Sequence, residues 1–118
     1  MKEVSKIDMG SIKVHKKVIS EIAAAALNDV DGVSLVKQDF SSRLYSMLGE
    51  KIYPGIKVHV DKNNQVIVEV KVLIRYGLNL PEIARQAQDT IRRAIEKTVD
   101  IDLKDVNIVI QGIERGEP

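Results

Sequence analysis

The side chains in this 118-residue chain that reach most clearly toward chemistry are two histidines and a scatter of carboxylates. His59 and Asp61 stand two positions apart in an alternating stretch, so a strand puts both on one face, as two corners of a metal site. Zinc takes three or four ligands, and the other histidine, His15, is far upstream, so an ordinary surface pair is expected. Asp100 and Asp102, with Asp105 beyond, suggest a cation loop or a carboxylate pair, but they lack the glycine and the closing glutamate of an EF-hand. Acids in such a turn are expected to serve solvation and local capping. Arg85, Arg92, Arg93 and Lys97 could meet phosphates or acidic lipid, yet Glu82, Asp89 and Glu96 interleave with them and weaken that field. The chain has no cysteine, which removes thiolate nucleophiles, disulfides and Cys-ligated metal centres. No glycine cluster forms a phosphate loop, a dinucleotide fingerprint or the GxxG clamp of an RNA-binding module. No motif pairs a serine with a histidine base and a third, orienting group. These residues imply no catalytic site, no cofactor and no metal.

Composition narrows the class further. Lys and Arg number 18 against 17 acids, a formal charge of +1, without the basic excess of a nucleic-acid binder. One Phe, three Tyr and no Trp leave little to stack on bases. Hydrophobic residues make up 44% and charged residues 30%, which suits one core under an ample polar surface. The first residues lack the basic-then-apolar order of a signal peptide, and no apolar run approaches the ~20 residues of a membrane span. A cytoplasmic chain that reaches a membrane only through its surface or a partner is expected.

The elements that must position these side chains follow from periodicity. Ile7 and Met9, then Ile12 and Val14, alternate with polar residues, which predicts a short strand over Ile7–Val14, interrupted at Gly10. Ile19, Ile22, Ala23, Ala26 and Val30 recur at helical spacing and predict a helix over His15–Val30. Asp29-Val30-Asp31-Gly32 stops it, Gly32 being free to take a left-handed conformation. Val33–Val36 reads as a short strand. Phe40, Leu44, Met47 and Leu48 fall on one side of a short amphipathic helix closed by Gly49. Ile56, Val58 and Val60, a polar turn, and the strict alternation Val66, Val68, Val70, Val72, Ile74 predict an antiparallel hairpin. Asn79, Pro81 and Glu82 open a second long helix with a spacing like that of a capping box. Its buried stripe is Ile83, Ala84, Ala87, Ile91, Ala94 and Ile95, with Asp89 and Arg93 as an exposed ion pair. Asp100–Asp105 turns the chain into a last strand at Val106, Ile108 and Ile110.

Assembled, these pieces form a single α+β domain over residues 1–118, ordered from about residue 7 to 113 with a short flexible tail at 114–118. The architecture is a two-layer sandwich: a mixed, mostly antiparallel sheet with two long helices packed on one face. The last strand is parallel to the Val66–Tyr76 strand if both share a sheet. Two surfaces are candidates for interaction. One is the stretch carrying Phe40, Leu44, Met47 and Leu48, which either closes one end of the core or docks a partner. The other is the sheet face away from the helices, where Ile67, Leu73 and Val109 lie beside Lys57, Glu69, Lys71 and Arg75.

Five segments, in order, resemble one family. Gly10-Ser11-Ile12-Lys13-Val14-His15, with Val18-Ile19 and Ile22-Ala23, resembles an opening signature, and Asp29-Val30-Asp31-Gly32-Val33 a helix exit. Gly55-Ile56-Lys57-Val58 resembles a central hairpin, Tyr76-Gly77-Leu78-Asn79-Leu80-Pro81-Glu82-Ile83-Ala84 a strand-to-helix passage, and Val106–Ile113 a closing strand. Together they resemble the alkaline-shock-protein family of bacterial stress proteins over most of Gly10–Ile113; Lys37–Tyr53 matches least. The resemblance implies a non-enzymatic cytoplasmic protein of the envelope-stress or general-stress response, an interaction or scaffold domain. Its implied partners are further copies of itself or a membrane-anchored protein, with no small-molecule ligand. The alternative reading, from the size and class of the domain, is a small nucleic-acid-binding module.

Overall fold

The computed structural model describes residues 9–36, 53 and 55–115, with side chains of the first helix described from His15 onward. In chain order the elements are α1 (Met9–Leu27), β1 (Val33–Leu35), β2 (Ile56–Val60), β3 (Val66–Arg75), α2 (Leu80–Thr98) and β4 (Leu103–Glu114). The fold is α+β, with a four-stranded sheet.

α1 corrects the expected strand at the start. Met9–Val14 is helical and continuous with the rest of α1. Four alternating residues are too few to separate period two from a helical turn. Extending a nucleated helix also adds a hydrogen bond for each residue it fixes, so α1 runs back through Gly10. Its other end lies at Leu27, three residues before the expected stop. Asn28, Asp29 and Val30 then fold back by amide bonds to Ala25, Ala26 and Leu27 carbonyls. Gly32 takes φ +90° at the entry to β1, where an added Cβ would also run into Leu78.

β3 is the spine. β2 pairs with it antiparallel from Ile56↔Val70 to Val60↔Val66, and β1 pairs antiparallel beyond, Val33↔Ile74 to Leu35↔Val72. β1 and β2 therefore share one edge of β3, end to end. β4 lies on the other edge, parallel, from Val66↔Leu103 to Arg75↔Glu114. The expected hairpin and parallel return strand are both present. β4 is longer than expected at each end, starting at Leu103 inside the supposed turn and running through Glu114 of the supposed tail. Register shifts at Lys104 and Gln111 mark two bulges in it.

The hairpin turn is fastened by Asp61, whose Oδ1 accepts the Asn63 and Gln65 amides, each at 2.9 Å. Asn64 takes φ 62° there, a conformation asparagine tolerates. α2 begins where its sequence places it: Asn79 Oδ1 accepts the Glu82 amide at 3.1 Å, with Pro81 in the first turn. Glu82 does not reach back as in a capping box; its carboxylate meets Arg85 at 3.5 Å.

One core joins the layers. The even residues Val66, Val68, Val70, Val72 and Ile74 of β3 are buried against Ile19, Ala23 and Leu27 of α1 and Ala87, Ile91 and Ile95 of α2. Alanines at the contact bring helix and sheet backbones close. Leu103 and Val106 extend this core to the start of β4.

Candidate interaction surface

The register settles where the expected surface residues stand. On the face away from the helices, Ile67 lies between His59 and Asp105, and Glu69 between Lys57 and Asn107. Val109 is beside Lys71, Leu73 lies between Ser34 and Gly112, and Arg75 is opposite Glu114. Ile67, Leu73 and Val109 thus share one face, but they do not form one patch. Glu69 and Lys71 separate Ile67 from Leu73, a span of roughly 20 Å at strand rise. Leu73 and Val109 are diagonal neighbours across Gly112, whose missing side chain leaves Leu73 uncovered there; an added Cβ would sit 3.4 Å from Leu73 Cδ2. Phe40, Leu44, Met47 and Leu48 lie outside the described residues.

Three of the groups that first suggested chemistry, Asp61, Asp102 and Arg92, are engaged in holding the fold. Asp61 binds its own turn and stands 3.7 Å from Lys104 Nζ. The Gln65 amide does most to hold its carboxyl below the ordinary 3.8; partial burial opposes this, and the Asn63 amide and Lys104 reinforce it. His59 is exposed on the outer face, across from Ile67, and His15 is on α1. Asp102 accepts from Gln65 Nε2 at 3.3 Å, its carbonyl accepts the Val66 amide at 2.8 Å, and Asp100 is exposed. Among the described residues, no three His, Asp or Glu side chains gather as a metal centre.

Of the basic residues, Arg92 has the most definite role. It meets Glu96 at 3.2 Å and donates to the Leu103 carbonyl at 3.3 Å and the Lys104 carbonyl at 3.0 Å. Four residues earlier, one turn along the same helix face, Gln88 Nε2 donates to the Val106 carbonyl at 2.7 Å. In the sequence Arg92 stands only as one of four basic residues interleaved with acids, and no motif singles out Gln88. Their shared helical spacing opposite a following strand was the available signal. The expected Asp89–Arg93 pair does not form among the described ion pairs. Arg93 and Lys97, with Asp29 and Glu96, instead rim an open groove of ≈ 780 Å³ between α1 and α2, lined also by Ile22, Ala25, Ala26, Thr90 and Ala94. Its lining holds two acids and two bases, so it favours neither anion nor cation.

β4 supplies a second surface. Val109, Ile110 and Ile113 are 37%, 36% and 44% exposed, and they lie on both faces of this outer strand. Large apolar side chains along a strand edge are a usual signature of contact with another chain.

Comparison with known proteins bears on the whole of this architecture. Residues 4–115 match the model of a family described as "ASP23 family, cell envelope-related function". The chain belongs to this alkaline-shock family. Its similarity extends to the uncharacterized protein YqhY of Bacillus subtilis, 27% identical over 90% of this chain and 78% of YqhY. It also reaches the stress response regulator gls24 homolog of Streptococcus pyogenes serotype M3, 27% identical over 98% of this chain and 65% of that protein. A third relative is the uncharacterized protein YloU of B. subtilis, 23% identical over 92% of each chain. The chain therefore spans just under two thirds of the streptococcal relative's length. No solved structure matches. The family is a stress-related and cell-envelope-related one, as its description and the streptococcal name state. No helix among the described residues is long and apolar enough to cross a membrane.

Proposed function

We propose that this chain is a non-catalytic interaction domain of the envelope-stress or general-stress response, a scaffold that self-associates or docks to a membrane-anchored protein from the cytoplasm. The observation that carries this reading is the family match over residues 4–115, with its cell envelope-related description. The geometry supports it. Asp61 and Arg92, which could have served a reaction or a phosphate, are committed to backbone groups of the β2–β3 turn and of β4, and the Asp102 carboxylate accepts from the Gln65 side-chain amide. The surfaces left over are apolar residues set among charges: Ile67, Leu73 and Val109 outside the sheet, with Phe40, Leu44, Met47 and Leu48 as the second candidate docking stretch.

The reading is tested by capturing the tagged chain from gently solubilised native cells and measuring the size of the complex, with an Ile67→Asp/Leu73→Asp variant alongside. A membrane protein or a homo-assembly held by the native chain is the expected result. Its loss in the folded variant would assign the outer face. A lone monomer that binds short RNA or DNA at low salt and keeps it at moderate salt would replace this reading with the nucleic-acid one.

A further inference from the structure

The two long edges of β3 are both occupied, but the sheet ends differently on each side. Beyond β4, no described strand follows. Residues of β4 alternate in which way their backbone groups turn. The Asp102 carbonyl accepts the Val66 amide and the Glu114 carbonyl accepts the Tyr76 amide, so these face β3. In the regular run between the bulges, Asp105, Asn107 and Val109 face β3, and Val106, Ile108 and Ile110 face away. The outward carbonyls at the start of the strand are taken by α2: Leu103 and Lys104 by Arg92, Val106 by Gln88. Past Val106, no described side chain bonds to the outward backbone. There Ile110 and Ile113 are also exposed. Among the described residues, the open edge thus begins where the α2 caps end.

We propose that this open half of β4 pairs with β4 of a second copy of the chain, antiparallel about a two-fold axis at Val109, so that the two sheets join as one. This rests on the self-association branch of the function proposed above and names its surface. The segment fits its own copy. Val106–Ile113 carries no charge, while Lys104-Asp105 bounds it at one end and Glu114-Arg115 at the other. An antiparallel pair therefore brings two positive and two negative charges together at each junction, with no net repulsion. Both strands are already extended and held by β3, so pairing orders little new backbone, unlike capture of a disordered peptide. With the axis at Val109, Ile108 of each copy exchanges both backbone hydrogen bonds with Ile110 of the other, and their side chains meet on the helix side. Val109 then faces its own counterpart in a non-hydrogen-bonded pair, with Cα atoms roughly 4.5 Å apart.

That spacing lies within disulfide range, and the native chain has no cysteine to interfere. The test is mild oxidation of Val109→Cys, with Ile67→Cys on the same face of the inner strand as control, beside sedimentation of the native chain across concentrations. The expected result is a native dimer and a disulfide-linked dimer from Val109→Cys but not from Ile67→Cys. Adding Ile110→Pro, which removes only an outward amide, should weaken the dimer by at least about tenfold while the unfolding transition persists. If the native chain associates but Val109→Cys cross-links no faster than Ile67→Cys, the β4 edge is overturned and the interaction reading stands. If the native chain is a monomer at every concentration, both the edge and self-association are overturned, leaving only docking to a membrane-anchored protein.

Discussion

The two halves of β4 pair with the same strand, β3, and have opposite surroundings on the other side. From Leu103 to Val106, α2 lies over the strand: Leu103 and Val106 are buried, and Gln88 and Arg92 bond the carbonyls that face away from β3. From Ile108 onward these caps stop, and Val109, Ile110 and Ile113 are exposed. The difference teaches how a long edge strand is managed. One helix face protects the part that completes the core, and the rest carries no such cap among the described residues. Outer-strand bulges at Lys104 and Gln111 bound the regular stretch, which confines any added strand to a short window.

The contrast can be broken most sharply by side-chain truncation. Val106→Ala should lower unfolding stability by about 2–3 kcal/mol in denaturant titration, whereas Ile113→Ala should stay within about 0.5 kcal/mol. Equal losses would mean that the open half is packed against something. Next in size, a Gln88→Ala/Arg92→Ala double variant should lose about 1–2 kcal/mol, because outward carbonyls lose their partners. It should also aggregate faster on mild heating, since the whole edge is then open. A variant as stable and as slow to aggregate as the native chain would show that the caps do not protect the strand.

The smallest expected effect lies at the capped end, where Asp61 ties the β2–β3 turn and reaches Lys104. Its carboxyl is held below 3.8 in the folded state, so the stabilisation is fully present above that value. It is lost as pH falls through the lower folded value. Asp61→Ala should therefore unfold at a lower temperature than the native chain at neutral pH, and the gap should narrow in strong acid. A gap independent of pH would mean that the carboxylate's charge is not what fastens the turn.

Much of this fold is legible in the residues. The alternation of Val66 through Ile74 announces a strand with one buried face, and the described structure buries those positions and leaves Ile67, Glu69, Lys71 and Leu73 half-buried. Asn79 and Pro81 mark the start of α2 because their backbone and side-chain preferences are local. The strand that alternation suggests over Ile7–Val14 gives way to helix at Met9–Val14 for the opposite reason. A four-residue alternation carries little information, and the helix beyond it recruits the segment. The length of β4 was underestimated because Leu103, Lys104 and Asp105 look like a turn until β3 is placed beside them. The candidate surface was half legible: parity puts Ile67, Leu73 and Val109 on one face, but only register shows Glu69 and Lys71 dividing them.

What the sequence determined by itself is the α+β class, the two amphipathic helices, the hairpin and the family, because periodicity, capping and ordered motifs are properties of neighbouring residues. What the tertiary structure decided is which edges and faces stay open. That β1 and β2 share one side of β3, that β4 closes the other, and that Gln88 and Arg92 cap only its first half depend on residues distant in sequence meeting in one register. Hydrogen bonding between strands and across to a helix is a long-range choice, and no local pattern encodes where it ends.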